Sequence, residues 1–348
     1  MKSSTPWWRT GILERGKMKE SIEQLLVFAL DHHASDIHFL KTRDDFSMKL
    51  RTIDGMLEIR QDRWGPAVLS YLKYIADFDL AAPKAPQSGS FSIEVRGEPI
   101  HCRLSVIHNQ DKETAVLRLL SCQVDLKIEQ LTSDPQAIAF MRSLCRLRQG
   151  LYLACGPTNS GKTTTIHAIL HEIARANRQK IVSLEDPVEI ADPLYLQLQI
   201  NEQEGFGYEK GIEELMRHDP DILYIGEIRN AYCAKKLVNA ALSGHMVVST
   251  LHAGTIREAV IRLLDFGIEP FELAGILSGM FASRLYKKPD GSKECVYEIA
   301  ERKEIFHIIQ TKAYSPNHAT LAQKIERALA CHSIEDEQAR VDLFDLQR

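Results

Sequence analysis

No apolar stretch in this chain is long enough to cross a bilayer. The longest, Leu25 to Leu30, falls far short of the roughly 20 residues that a spanning helix needs. The N-terminus, with Trp7, Trp8 and Arg9, lacks the charged-then-apolar order of a secretory signal. Cysteine is scarce and unpatterned: Cys102, Cys122, Cys145, Cys155, Cys233, Cys295 and Cys331 include no CxxC pair. Such a set argues against a disulfide frame or a zinc knuckle and for reduced thiols in a cytoplasmic chain. Positive charge is not in excess either. Lys plus Arg is 43 against 47 for Asp plus Glu, a net charge of -4, so nothing in the balance demands a nucleic acid or an anionic membrane. Repeats and low-complexity tracts are absent, and 44% hydrophobic with 26% charged residues excludes wholesale disorder. At roughly 150 residues per domain, 348 residues make about two domains.

Residues 1–17 show no periodicity. Glu14-Arg15-Gly16-Lys17 can be encoded by a purine-rich stretch resembling a ribosome-binding site just ahead of Met18. The expectation is a non-native leader over 1–17, which leaves Trp7-Trp8 without meaning. From Glu20 onward, Ile22, Leu25, Leu26, Ala29 and Leu30 share one helical face. The period then becomes two. Phe46, Met48 and Leu50 alternate with polar residues ahead of an Asp54-Gly55 turn. Beyond a proline patch at Pro83 and Pro86 come Phe91, Ile93 and Val95, a Gly97 turn, then Ile100, Cys102, Leu104 and Val106, with a last run ending at Leu119-Leu120. Residues 18–122 are expected to form a small α+β domain with an antiparallel sheet, followed by a linker at 123–128.

From about Asp125, short apolar runs alternate with amphipathic helices, the pattern of a mostly parallel α/β sheet, here expected over 129–300. The strand candidates are Leu151–Cys155, Ile181–Leu184, Ile222–Ile225 and Met246–Thr250, with a helical stripe through Ala231, Ala234, Leu237, Val238, Ala241 and Leu242. Thr255 with Glu258 reads as a capping box, and Gly267 as the stop of that helix. Beyond Phe271 the pattern reads as helical to the end, apart from a turn at Pro289-Asp290-Gly291. Residues 301–348 are expected to be a helical C-terminal region.

The strongest signal is Gly156-Pro157-Thr158-Asn159-Ser160-Gly161-Lys162-Thr163, a complete GxxxxGK[ST] loop. Glycines let backbone N–H groups curl round phosphates, the lysine balances their charge, and the Thr163 hydroxyl reaches Mg²⁺. The dipole of the helix that follows adds to the attraction. An apolar strand precedes the loop, and Ile166, Ile169, Leu170 and Ile173 give the following helix a buried face. ATP with Mg²⁺ is the expected ligand. Each later strand also ends in a residue able to do chemistry: Glu185, Glu227 and His252. Taken singly, an acidic residue after a strand is usually a cap or a solvated turn. Three in order behind a phosphate loop converge on the γ-phosphate, because ligands bind at the carboxyl ends of such strands.

Gly156–Thr165 (GPTNSGKTTT), Ile181–Ile190 (IVSLEDPVEI), His218–Arg229 (HDPDILYIGEIR) and Gly244–His252 (GHMVVSTLH) resemble the Walker A, Asp-box, Walker B and His-box motifs of the type II secretion and type IV pilus ATPases. Ser35-Asp36-Ile37-His38, Arg51–Gly55 (RTIDG) and Arg103-Leu104-Ser105 extend the likeness, which covers about residues 20–300. The resemblance implies a small α+β, PAS-like N-terminal domain, then a RecA-like P-loop domain with a helical C-terminal part. It implies that Gly156 to Thr164 hold the nucleotide, that Glu185 orients the attacking water, and that Glu227 holds Mg²⁺ through water together with Thr163. Arg229 joins this set, and His245 and His252 would sense the γ-phosphate; His245 is equally a hydrogen-bonded core residue, and His252 is the stronger candidate. The family works as a hexameric ring whose N-terminal domains present arginines to the neighbour's nucleotide. Arg103 and Arg118 fit that role, with Arg51 as a third candidate.

The chain departs from the family pattern at Asn159, where glycine is usual, at Asn230, where aspartate is usual, and at Ala253-Gly254, which replaces Thr-Asn. Arg284 to Glu298 contains a single cysteine, Cys295, so no zinc site is expected. His32, His33 and His38 have no metal-ligand spacing, and Arg142, Arg146 and Arg148 read as a solvated helix face. A short chain of this kind resembles most the competence pseudopilus ATPases of Gram-positive bacteria. The expected function is a motor that assembles a pilus-like filament for DNA uptake through an integral membrane platform, at the cytoplasmic face of the membrane. The rivals are filament retraction, protein secretion, a nucleotide-gated scaffold, and a RecA-like helicase or recombinase. The last is disfavoured by the net charge, and no stable nucleic-acid binding is expected.

Overall fold

A computed structural model describes residues 7–52, 55–59, 64–79, 85–109, 111–120, 127–176, 179–201 and 205–347, with side chains from residue 17 onward. The chain divides into two compact units, residues 1–122 and 123–348. Asp54, Pro83 and Asp125, on which a turn, a proline patch and a linker were expected, lie outside the described residues.

The first unit contains α1 (Trp7–Asp31), β1 (Asp36–Lys41), β2 (Phe46–Thr52), β3 (Gly55–Ile59), α2 (Pro66–Ile75), β4 (Gln87–Val95), β5 (Glu98–Asn109) and β6 (Lys112–Leu120). Helix α1 starts well before the stripe that begins near Glu20. Glu14, Arg15 and Lys17 are good helix formers, which favours a helical backbone ahead of that stripe. The sheet is antiparallel in the order β3-β2-β1-β6-β5-β4. Its period-two pattern buries Phe46, Met48 and Leu50 from β2 and Cys102, Leu104 and Val106 from β5 against Ile22, Leu25, Leu26 and Ala29 of α1. At the β4–β5 hairpin Arg96 and Gly97 have φ of 54° and 83°, the pair of left-handed residues that a two-residue turn needs to match strand twist.

The second unit runs α3 (Ile128–Leu131), α4 (Pro135–Leu144), β7 (Gly150–Cys155), α5 (Lys162–Arg175), β8 (Ile181–Glu185), β9 (Leu196–Gln199), α6 (Tyr208–Met216), β10 (Ile222–Ile225), α7 (Ala231–Leu242), β11 (Met246–Leu251), α8 (Ile256–Asp265), α9 (Pro270–Ile276), β12 (Leu277–Lys287), β13 (Lys293–Glu301), α10 (Arg302–Thr311), α11 (Leu321–Ala330) and α12 (Glu337–Leu346). The strand order is β13-β12-β7-β11-β10-β8-β9. All pairings are parallel except β12 with β13. Strand β11 lies between β7 and β10, the RecA-like arrangement. The carboxyl ends of β7, β11, β10 and β8 therefore share one edge, where ligands of open α/β sheets bind.

The helical reading beyond Phe271 is corrected here: residues 277–301 form the β12–β13 hairpin. Eight of the eleven residues of β12 are buried. A strand covered on both faces gives a continuous apolar run that periodicity cannot separate from a buried helix. The Pro289-Asp290-Gly291 turn exists, but it joins two strands, with Lys288 N–H donating to Ser292 O at 2.8 Å.

Candidate nucleotide-binding site

Strand β7, buried along its whole length, delivers the chain to Gly156 at φ 148°. A Cβ there would stand 2.5 Å from Ser160 Oγ and 2.9 Å from Ser283 O, so only glycine fits. Gly161, at φ 90°, leads into α5 with Cys295 Sγ beneath it, 3.1 Å from where a Cβ would sit. Asn159 adopts φ 63°. Asparagine enters the left-handed region more readily than other side chains, so this departure from glycine keeps the loop's shape. Lys162 is 7% exposed, and its Nζ donates to Gly156 O at 3.0 Å and Pro157 O at 2.6 Å. Burial pulls its pKa below the usual lysine value, against the opposing pull of Cys155, Glu189 and Glu227. A buried ammonium facing two carbonyls, at a helix N-terminus with open amides, has the donor set for a polyphosphate. Thr163 and Thr164 open the helix. Thr165 turns away, bonding Gly161 O at 2.8 Å and the Tyr297 hydroxyl at 2.7 Å.

The strand ends next to this loop carry the expected acidic residues in unlike settings. Glu227 follows β10 and is pinned to β11: Thr250 Oγ1 donates to Gly226 O at 2.6 Å, and Ile228 N–H to Thr250 O at 2.9 Å. One Glu227 oxygen lies 3.1 Å from His252 Nε2, and the other accepts from Arg229 Nε. Arg229 also reaches Asp186 at 3.1 Å and covers the Tyr208 ring at 4.9 Å. Glu227, Arg229 and His252 thus form one partly exposed cluster. His252 follows Leu251, whose partner across the sheet is Cys155 at the foot of the phosphate loop.

His245 does not belong to this cluster and occupies the hydrogen-bonded position that was its alternative reading. It precedes β11 at the opposite edge of the sheet, where Met246 pairs with Gly150 and Gly150 N–H donates to His245 O at 3.1 Å. The strand itself separates it from the loop, and its Nδ1 donates to Ala240 O in the last turn of α7 at 3.0 Å.

Glu185 ends β8 at 2% exposure with both oxygens engaged. Oε1 accepts from Ser183 Oγ at 2.6 Å and Gln197 Nε2 at 3.1 Å, and Oε2 faces His167 Nε2 at 3.3 Å. The Tyr195 hydroxyl donates to His167 Nδ1 at 2.5 Å. Burial, reinforced by the Glu185 and Asp192 carboxylates, pushes the Tyr195 phenol well above its usual range, so it stays a donor. One helical turn on, His171 Nδ1 meets the buried Asp192 at 2.6 Å. Sequence reasoning passed over His167, His171, Tyr195 and Gln197. The signal it could have used was two histidines four apart on the helix of the phosphate loop, both on one face. It also passed over Glu189, whose carboxylate acts on the Lys162 ammonium while Glu185 is held inside the fold.

Asn230 caps α7, its Oδ1 accepting from Cys233 N at 2.9 Å, a role asparagine fills as well as aspartate. Among the described residues no group of His, Cys, Asp and Glu is arranged to hold a metal directly, and no helix is long and apolar enough to cross a membrane. In the first unit, strand register sets Arg51 opposite Asp36, Asp36 opposite Arg118, and Arg118 opposite Arg103. The three candidate arginines therefore lie in one row on one face of that sheet.

Comparison with known proteins finds relatives in sequence and in fold. The type II secretion system protein HxcR of Pseudomonas aeruginosa is 37% identical over 77% of this chain, which spans 57% of that protein's length. The competence protein ComGA of Bacillus subtilis is 34% identical over 72% of the chain and 71% of its own length. ComGA of Halalkalibacterium halodurans is 32% identical over 83% of the chain and 86% of its length. Among solved structures, the pilus retraction motor PilT with bound ADP superposes with a TM-score of 0.73 at 24% identity, covering 92% of this chain and 96% of that one. The ATPase DotB of Legionella pneumophila gives 0.71 at 17% identity, covering 92% and 94%; at these identities both speak for the fold. A profile of the type II/IV secretion system protein family matches residues 13–344, and the chain belongs to that family.

Proposed function

We propose that this chain is the ATP-hydrolysing subunit of a hexameric motor that works at the cytoplasmic face of a membrane and drives assembly of a pilus-like filament for DNA uptake. The observation that carries hydrolysis is the buried Lys162 ammonium in its loop, beside the strand ends that bear Glu227 and His252. Lys162, Thr164 and the first amides of α5 would hold the phosphates, and Thr163 would hold Mg²⁺ with Glu227 acting through water. The metal supplies charge neutralisation between the phosphates. Glu185, expected to orient the attacking water, has both oxygens engaged inside the fold, and the water-orienting role would pass to Glu189 in the loop that follows, whose carboxylate acts on Lys162. Arg103 and Arg118 would act on the neighbouring subunit's nucleotide, and Arg103→Ala is expected to lower turnover about 10³-fold with ATP still bound.

Filament assembly for DNA uptake draws its support from the identity to two competence proteins, 34% and 32%. The identity to HxcR keeps protein secretion as the second reading. The test is uptake of labelled external DNA by cells whose only copy carries Lys162→Ala, with protein abundance checked. Loss of uptake at normal abundance supports the motor of transformation. Normal uptake with loss of an exported protein moves the assignment to secretion, and normal behaviour in both assays removes the motor reading.

A further inference from the structure

The arginine row of the N-terminal unit contains one residue that no motif argument assigned a task. Asp36 is 2% exposed although it lies on the polar face of the sheet. Its Oδ1 accepts from Arg118 Nε at 2.9 Å and its Oδ2 from Ser35 Oγ at 2.8 Å. Ser35 is fixed in turn through its backbone, donating to Arg51 O at 2.9 Å and accepting from Leu119 N at 2.9 Å. The carboxylate therefore has a set orientation before any arginine meets it.

The contact it makes is specific. Asp36 takes the Nε side of Arg118, while nearly half of that side chain remains exposed at 46% and the terminal nitrogens are left for another acceptor. Guanidinium binds phosphate oxygens through paired N–H groups in a fixed plane. A carboxylate on Nε fixes that plane without consuming the outer edge. The surrounding charge is unbalanced. Arg103, directly across from Arg118, forms no hydrogen bond or ion pair among the described residues. Like charges opposite one another on a sheet are destabilising unless an anion meets them. Two residues along β1, His38 is held below its ordinary pKa by burial and by the Arg51 charge, with Arg118 adding to it. Three arginines against one buried carboxylate leave that row positive.

We propose that Asp36 is a positioning residue: with Ser35 behind it, it holds Arg118 by Nε so that the outer edge of the guanidinium is presented, beside Arg103, to a phosphate group. The proposal rests on the reading that Arg118 acts on a neighbouring subunit's nucleotide, and the experiment separates the two. ATP turnover is measured for the full chain with Asp36→Asn, Ser35→Ala, Arg118→Ala and the Asp36→Asn/Arg118→Ala double variant, with oligomeric state and thermal unfolding followed in parallel. Asp36→Asn is expected to lower kcat about tenfold to 10²-fold with KM for ATP unchanged. Ser35→Ala should lower it less, and the double variant should be no worse than Arg118→Ala alone.

Free guanidinium ion provides the readout that a structural role would not move. It should restore part of the turnover of Arg118→Ala, and none when Asp36 is also Asn, because nothing then seats the ion. Wild-type turnover in Asp36→Asn while Arg118→Ala is inactive overturns the proposal. So does a double variant whose defect is the product of the single ones, or guanidinium rescue that is indifferent to Asp36. Wild-type turnover in Arg118→Ala overturns the underlying reading instead. Should Asp36→Asn fail to fold, the proposal is decided by Ser35→Ala in the same cycle.

Discussion

The two histidines of the His-box segment have the same chemistry and opposite positions. His252 meets Glu227 at 3.1 Å beside the phosphate loop, while His245 donates to the end of α7 across the sheet. His252→Ala is therefore expected to lower turnover with little change in melting temperature. His245→Ala should retain turnover and lose about 1 kcal/mol of stability, the worth of one neutral hydrogen bond. Parallel assays of hydrolysis and chemical unfolding check both, and a turnover defect confined to His245→Ala would refute the assignment. Tyr195 offers a second contrast. Tyr195→Phe removes the hydroxyl that donates to His167 Nδ1 at 2.5 Å and leaves that buried nitrogen unpartnered, a cost of about 1–3 kcal/mol in the same unfolding assay.

Strand β13 and the C-terminal helices are joined through a buried carboxyl group. Glu298 is fully buried on β13; it accepts from His318 Nε2 at 3.0 Å and from the Leu321 amide at the start of α11 at 3.2 Å. Tyr314 stacks on the His318 ring at 4.6 Å. Removing the acceptor leaves the His318 and Leu321 donors unpaired at about 1–3 kcal/mol each, so Glu298→Ala should lower the unfolding midpoint while Glu298→Gln, which still accepts, lowers it less. The N-terminal sheet makes a pH prediction. His38 is held below 6.5 by burial and Arg51, and His108 by burial, Lys73 and Lys41. The unfolded chain then binds more protons than the folded one, so this contribution to stability is present above 6.5 and lost as the pH falls through the lower folded values. Thermal unfolding at about pH 7.5 and about pH 5.5 should show a smaller difference in His38→Gln/His108→Gln than in wild type.

The phosphate loop lies in one compact unit and the arginine row in the other. If the arginines act between subunits, two inactive variants should complement one another. Lys162→Ala supplies intact arginines, and Arg103→Ala supplies an intact loop. Mixed before assembly, they should regain a measurable fraction of wild-type turnover. Turnover that stays at the level of the separate variants would place the arginines' action within one chain.

The phosphate loop, both domain classes and the acidic strand ends were legible in the residues because each depends on local rules. Glycines at positive φ, a period of two or of 3.6, and an N-cap leave marks within a few positions. Arg103, Asp36 and Arg118 could each be named, but their common row depends on antiparallel register between strands far apart in the chain. The hairpin at 277–301 was misread because burial on both faces erases the alternation by which a strand is recognised. Motif membership grouped His245 with His252, and six residues of extended chain put them at opposite edges of the sheet. Glu185 was visible as a strand-end acid. That His167, Gln197 and Ser183 enclose it follows from how α5, β8 and β9 pack, because which donors meet a buried carboxylate is decided by tertiary contacts that no spacing along the chain encodes.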